Sequence, residues 1–248
     1  MNVTLLFLIA NPHLVSPATI LEPSLPKVEG RWARVQVTTA LVDLPVLGER
    51  EARTLAITLL DVEQQGDALT LREEVCGIES RDPTQMVQTR YPAAFTKALS
   101  GVQRSAHLEP GPQGARWIEP KQTSVRGASI SEAEPLPTLG SDPRVVDSDG
   151  DGQPGLTVEI DGMVSGSVFV VQRGWSALEG QLRADRAEGL IRWSSEQVVV
   201  GATHRLLQSA PASRPHPDPK KSFFRMRRVP ADATCADIQS RRQTLLGL

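Results

Sequence analysis

Three aspartates at alternate positions form the most specific chemical pattern in the chain. Segment 147–153 reads DSDGDGQ, with carboxylates at Asp147, Asp149 and Asp151 and a glycine after the third. This spacing suits Ca²⁺, which takes about six to eight oxygen ligands at about 2.3–2.6 Å. Alternate side chains can converge in a tight turn, and Gly152 permits the positive φ that reverses the chain. Three close carboxylates without a cation would repel one another, so the pattern predicts a structural calcium site.

The segment resembles the DxDxDG loops of thrombospondin type 3 repeats and dockerins, which begin like an EF-hand loop. The resemblance covers residues 147–153 and no further. It implies that Asp147, Asp149 and Asp151 are side-chain ligands of calcium and that Gln153 contributes a backbone carbonyl. The alternative interpretation is a solvated Asp-Gly turn between two strands.

The sequence departs from that family where an EF-hand carries a bidentate glutamate. Val158 stands at this position, and Glu159 comes one residue later. Pro154 replaces the usual aliphatic residue, and a strand pattern follows instead of a helix. We therefore expect Glu159, Asp142, Asp161 or water to complete the coordination shell.

Two cysteines, Cys76 in a strand pattern and Cys235 near the C-terminus, are the only ones in the sequence. In an exported protein this pair predicts a disulfide that fastens the tail to the sheet. Closing so long a loop contributes about 4–5 kcal/mol in the chain-entropy model. The alternative is two separate buried thiols.

The compartment is predicted from the N-terminal segment 1–26. Residues 3–10 read VTLLFLIA, a run that fits the apolar core of a secretory signal and is too short to span a bilayer. Prolines at 12, 17, 23 and 26 then give a linker-like stretch. We expect export to the periplasm, the outer surface or the medium. The alternative interpretation is an ordinary first strand.

The composition excludes several classes of partner. The chain has 27 basic and 29 acidic residues, so there is no basic excess to bind a nucleic-acid backbone. Aromatic residues make up only 4%, which argues against stacking on sugars or bases. The basic run 214–228 is compatible with peripheral contact to anionic lipid, although a solvated strand and loop is the commoner explanation.

The elements that position these residues follow a period of two from Gly30 onward. The pattern predicts an all-β protein, an antiparallel barrel or sandwich with one or two short helices, at 91–100 and in the tail. We expect one domain over 27–231, a loop insertion near 131–155 and a tail over 232–248. The predicted strands are 34–41, 53–61, 68–78, 84–90, 103–108, 115–119, 122–128, 156–160, 167–173, 177–182, 189–194, 197–200 and 223–229.

Gly30-Arg31-Trp32, just before the first clear strand, resembles the G-x-W motif that opens lipocalin barrels. The resemblance implies that Trp32 closes one barrel end. Lipocalins also often join a strand cysteine to a C-terminal cysteine, as Cys76 and Cys235 would. It further implies an open apolar cavity above Trp32 that would carry a small apolar ligand.

The segments 142–147 and 196–202 resemble uncharacterised secreted proteins of myxobacteria, a likeness that implies no activity. The sequence contains no HExxH, GxSxG or Walker A motif, and no GxGxxG that follows a strand pattern. We therefore expect a non-enzymatic role in a bacterial cell envelope, either structural or in binding a protein partner. The alternatives are the lipocalin-like carrier and a hydrolase that uses two carboxylates facing each other across a cleft.

Overall fold

The computed structural model describes residues 25–44, 48–81, 87–111 and 114–247. These residues are mostly antiparallel strand, so the prediction of an all-β protein is confirmed. Nearly all of the signal-like segment 1–26 lies outside the described residues. The strands are β1 (Gly30–Leu44), β2 (Gly48–Gln65), β3 (Ala68–Arg81), β4 (Val87–Arg90), β5 (Gln103–Gly111), β6 (Gly114–Arg126), β7 (Leu156–Gly162), β8 (Gly166–Arg183), β9 (Arg186–Ala202), β10 (Ser213–Pro215) and β11 (Phe223–Arg228). The α-helices are α1 (Ala93–Leu99), α2 (Cys235–Ser240) and α3 (Arg242–Leu246).

Eight of the described strands hydrogen-bond into a closed ring, in the order β1-β2-β3-β5-β6-β8-β9-β11 and back to β1. Every pairing around the ring is antiparallel. Each ring strand therefore pairs with the next ring strand along the chain, which is up-and-down connectivity. Strands β7 and β4 extend the sheet from β8, and β10 pairs with the end of β1.

Three of the ring strands are single strands where the sequence predicts two. Strands β6, β8 and β9 each join two predicted short strands. In β6 the ladder is irregular between Glu119 and Gln122, and Pro120 lies there, where no ladder N–H is needed. In β8, Gly174 lets the backbone approach β9, because an added Cβ would lie 3.3 Å from the Ser194 carbonyl. Glycine and proline that look like strand breaks are here local adjustments within continuous strands.

One end of the ring interior is filled by apolar side chains. Alternation along β1 turns Trp32 inward, and its indole N–H donates to the Val28 carbonyl at 2.8 Å. Trp32 is fully buried beside Trp117, with ring centroids 6.3 Å apart. Burying each such side chain contributes about 1.5–3 kcal/mol or more. The packed residues are Val28, Leu60, Val62, Leu69, Leu71, Ala106, Leu108, Ala115, Leu178, Leu182, Ala187, Ile191, Phe224 and Met226.

A second apolar cluster, on the same inward face, contains the helix predicted within 91–100. Helix α1 follows Pro92 and ends before Gly101, whose φ is 78°. Phe95 is buried against Leu156 and Val170, which face inward from β7 and β8. This helix and its cluster cover the inward face of β7 and β8.

The C-terminal tail, residues 232–247, covers part of the outer face of the ring. Thr234 and Asp237 form a reciprocal capping box at the start of α2. Ile238 of α2 and Leu246 of α3 belong to one buried cluster with outward side chains of β1 and β2 such as Val35. The disulfide between Cys76 and Cys235, 159 residues apart, fastens this tail to β3. The predicted disulfide and the predicted helical tail are therefore both confirmed.

The stretch 127–155 between β6 and β7 runs over another part of the outer face. An isolated bridge joins Ala128 to Val145, and Leu136 packs against Val171 and Val200. The stretch thus forms a long connection held to β8 and β9 by a small apolar cluster. Its last part carries the aspartates.

Candidate functional site

The acidic loop, residues 147–153, is held in place by main-chain bonds at its base. The Ser148 N–H donates to the Gly155 carbonyl at 2.8 Å, and the Gly155 N–H donates to the Val146 carbonyl at 3.1 Å. The Ser148 hydroxyl accepts from the Gly127 N–H at 3.0 Å, which ties the loop to the end of β6. The loop is therefore anchored at both ends before any ion is considered.

Two glycines let the loop turn tightly. Gly150 has a φ of 73° and Gly152 a φ of 84°, the left-handed region that other residues rarely adopt. A Cβ at either position would meet nothing within 4 Å, so the requirement is conformational rather than steric. The predicted role of Gly152 is confirmed.

This turn brings the three carboxylates together. One oxygen from each of Asp147, Asp149 and Asp151 lies within 4.8 Å of the others. Asp147 accepts main-chain N–H bonds from Gly152 at 2.9 Å and Gly150 at 2.7 Å. These hydrogen bonds lower the pKa of Asp147 and keep it ionised, and the bond from Gly152 has the largest effect.

Asp149 is the most enclosed of the three. Its Oδ2 accepts from the Thr157 N–H of β7 at 2.9 Å, while its Oδ1 is buried with no hydrogen-bond partner among the described residues. Burial, together with the nearby charge of Asp151, raises the pKa of Asp149. An oxygen in this position is a ligand atom without a partner, which fits a cation between the carboxylates.

The arrangement could hold a metal ion. Its donors are carboxylate oxygens, which are hard ligands suited to Ca²⁺ or Mg²⁺ rather than to soft metals. Among the described residues, the hydrogen-bond partners of these carboxylates are backbone amides, not basic side chains. The negative charge of the group is therefore not neutralised by a basic side chain among the described residues.

The residues expected to complete the shell lie in other interactions. Gln153 is in the loop, and its N–H donates to Asp151 at 2.8 Å. Glu159 lies on β7, 3.6 Å from the Arg90 guanidinium, and is not in the carboxylate group. Asp142 binds Arg144 at 2.7 Å, and Asp161 accepts from the Ser165 hydroxyl at 3.0 Å.

A second concentration of charge, which the sequence did not reveal, lies inside the ring. The charged cluster consists of Arg34, Glu73, Arg104 and Glu119, one residue from each of four strands. Arg34 Nη1 donates to Glu119 Oε1 at 3.0 Å, and its Nη2 donates to Glu73. Arg104 Nε lies 3.3 Å from Glu119 Oε2 and 3.7 Å from Glu73 Oε1. Two positive and two negative groups therefore balance one another.

The charged cluster lies next to the apolar end of the interior. The side chains of Arg34 and Glu119 are 1% and 0% exposed, and the Trp117 indole N–H donates to Glu119 at 3.0 Å. Burial alone would lower the pKa of Arg34, but the charges of Glu73 and Glu119 outweigh that effect and raise it. Glutamates held this way bind arginines and do not face a cleft, unlike the carboxylate pair a hydrolase requires.

The charged cluster lies at the level of the ring interior where the sequence predicts a cavity above Trp32. The next inward position on β1 is Arg34, and it is filled by the ion-paired side chain. Two grooves lie elsewhere: one of about 220 Å³ between β9, β11 and α3, and an open one of about 600 Å³ beside the β2–β3 turn.

The basic run 214–228 is engaged by the protein's own chain. Four of its basic side chains bind carboxylates or carbonyl oxygens of neighbouring segments. The contacts are Arg214 to Glu49 at 2.6 Å, Lys221 to Glu51 at 2.9 Å, Arg225 to the Gly247 carbonyl at 2.9 Å and Arg228 to the Glu29 carbonyl at 2.6 Å.

Comparison with protein-family models, curated proteins and solved structures gives no match. Function therefore has to be argued from the residues of this chain. The disulfide suggests an oxidising, extracytoplasmic environment. In the part of the chain that the structure describes, no helix has the length and apolar character needed to cross a bilayer.

Proposed function

We propose that this protein is exported from a bacterium and acts outside the cytoplasm as a non-enzymatic structural or binding protein stabilised by calcium. The acidic loop carries the proposal, because its carboxylates converge and, within the part of the chain that the structure describes, no basic side chain pairs with them and the buried Asp149 Oδ1 has no partner. The disulfide supports the compartment, since such bonds persist in oxidising surroundings. Extracytoplasmic calcium is abundant enough for a weak site, about 10⁻⁴–10⁻³ M in affinity, to be filled.

Calcium at this loop would have a structural effect. The loop is bonded both to Gly127 at the end of β6 and to Thr157 on β7. A cation bound by the three aspartates would therefore hold these two strands in their relative positions. The proposal also includes Gln153 and Glu159, which the sequence predicts as further calcium ligands.

The test is a thermal unfolding series with calcium and with a chelator. Calcium raises the melting temperature of the wild type, and Asp149→Asn abolishes the rise while keeping an acceptor for the Thr157 N–H. Asp67→Asn, which removes one carboxylate from the β2–β3 turn, is the matched control and keeps the full rise. If the wild type gains nothing at millimolar calcium, or Asp67→Asn loses the rise as well, the proposal fails.

The carrier alternative has one observation in its favour, the closed up-and-down ring with Trp32 at its apolar end. The buried Arg34 directly above Trp32 opposes it, because an apolar ligand would have to lie against a guanidinium. Native mass spectrometry of protein purified from its own host decides between them. A bound apolar molecule would favour the carrier.

A further inference from the structure

The charged cluster inside the ring leaves several polar atoms without partners. Four buried side-chain atoms in the charged cluster or beside it have no hydrogen-bond partner among the described residues: Arg34 Nε, Thr58 Oγ1, Arg104 Nε and Glu119 Oε2. Native proteins rarely leave buried polar atoms unsatisfied, because each one costs free energy of desolvation. Four together at one level of the interior therefore need an explanation.

These atoms are neighbours. Arg34 and Thr58 are register partners across β1 and β2. Arg34 reaches Glu119 at 3.0 Å, and Arg104 Nε lies 3.3 Å from Glu119 Oε2, an ion-pair contact outside hydrogen-bond geometry. A single small group of molecules could therefore reach all four.

The chemistry of the four atoms defines the occupant. The two guanidinium N–H groups need acceptors, the Glu119 oxygen needs a donor, and the Thr58 hydroxyl can serve as either. The occupant must donate and accept at once and must be small. Water meets both conditions, and an apolar molecule meets neither.

The surface next to the charged cluster is also polar. Alternation and register turn Gln36 of β1, Gln122 of β6 and Ser176 of β8 to the same inward face, and each is half-buried. Arg104 Nη2 donates to the Ser176 hydroxyl at 3.0 Å, so the charges continue into this polar layer. A polar lining of this kind retains water, whereas an apolar lining stays dry.

We propose that the middle of the ring interior is a water-binding site in which bound water molecules link Thr58, Arg34, Arg104 and Glu119. The water completes the hydrogen bonds of the charged cluster and separates the apolar end around Trp32 from the apolar cluster around α1. The interior of this ring thus accepts a polar occupant. This inference is independent of calcium at the acidic loop.

The direct test is a crystal structure of the whole chain at high resolution. We expect ordered water within about 3.2 Å of Thr58 Oγ1 and of at least one of the two arginine Nε atoms. A dry interior at these atoms, or density for any other molecule there, overturns the proposal.

A mutational test distinguishes a Thr58 hydroxyl that binds water from one that does not. The change in melting temperature caused by Thr58→Val differs in sign between these two cases. If Thr58 binds water, Thr58→Val removes a hydrogen bond and lowers the melting temperature by about 2–4 °C, while Thr58→Ser, which keeps the hydroxyl, restores the ordered water. Thr39→Val is the comparison variant. Thr39 Oγ1 donates to the Lys221 carbonyl at 2.7 Å, so the stability that this variant loses comes from a hydrogen bond within the protein. Thr58→Val as stable as the wild type, or more stable, overturns the proposal.

Discussion

The acidic loop and the charged cluster solve the same electrostatic problem in opposite ways. Both bring carboxylates together on the same all-β framework. Inside the ring, each glutamate has an arginine within ion-pair distance, so the charges balance within the chain. On the loop, Asp147, Asp149 and Asp151 have backbone amides as partners, which soften the repulsion without neutralising it.

The difference separates structural charge from charge available to a ligand. A buried pair that lost one partner would leave an uncompensated charge in a poor solvent for ions. A loop of one sign of charge at the surface can remain ionised in water and accept a cation when one is present. Clustered carboxylates therefore indicate an ion site only where the chain supplies no positive side chain of its own.

The largest effect is expected from breaking the balance inside the ring. Glu119→Gln leaves Arg34 and Arg104 facing Glu73 alone, and the buried positive charge that remains should cost about 3–5 kcal/mol of unfolding free energy. Denaturant unfolding measures the loss.

Glu179→Gln is the matched control for that variant. Glu179 pairs with Arg116 on the outer face and is 48% exposed, so its loss should cost less than about 1 kcal/mol. Equal losses in the two variants would show that Glu119 is not desolvated, and the contrast between interior and surface charge would then be wrong.

The fold class could be predicted from the sequence because alternation survives along nearly every strand. Short strands were predicted where Pro120 and Gly174 interrupt the pattern, yet each strand continues through its interruption, with an irregular ladder at Pro120. Strand length in this ring is set by pairing between strands that are distant in sequence. Glycine and proline within a strand therefore do not predict where that strand ends. The short β10 is absent from the predicted strands, because its pairing with β1 leaves no trace in its own residues.

The acidic loop was found from the sequence because its aspartates are close together in the chain, and the charged cluster was missed because its members lie on four strands. Arg34 alternates with Val35, and such a pattern usually means one polar face and one buried face. Here both faces of β1 are buried, one by the ring interior and the other by the C-terminal tail. A signal was present, since Arg34 shares its face with Trp32, but the partners on β3, β5 and β6 cannot be read from spacing.

The second prediction concerns the size and independence of the calcium effect. At a calcium concentration 100 times the dissociation constant, binding should add about 2.7 kcal/mol to the unfolding free energy of the wild type. Thr58→Val, which alters the ring interior only, should show the same gain within about 0.5 kcal/mol, because separate sites contribute additively. A gain that shrinks in Thr58→Val would mean that the two regions are coupled.

A smaller effect is expected from Asp149→Asn without metal. Burial and the charge of Asp151 raise the pKa of Asp149, so its ionised form at neutral pH weakens the folded state. The amide should therefore make the metal-free protein slightly more stable, by less than about 1 kcal/mol because solvent screens this partly exposed group. As the pH falls through the raised pKa the gain should decline, and it should disappear below the unfolded value of 3.8, where the aspartate is neutral in both states. If metal-free Asp149→Asn melts below the wild type at neutral pH, the charge of Asp149 does not destabilise the folded loop.

The smallest effect comes from Asp142, a carboxylate in the same connection that does have its own arginine. The side chain of Arg144 lowers the pKa of Asp142 from its ordinary 3.8 to about 2. A lowered pKa in the folded state stabilises it fully above the unfolded value, and this contribution is lost as the pH falls from about 4 to about 2. In metal-free buffer, Asp142→Asn should therefore melt slightly below the wild type above pH 4 and match it near pH 2, after correction by Asp67→Asn for the loss of one charge. If the difference in melting temperature persists unchanged to pH 2, Asp142 stabilises the protein through its packing and not through its charge. The distinction between paired and unpaired carboxylates would then not extend to the residues beside the acidic loop.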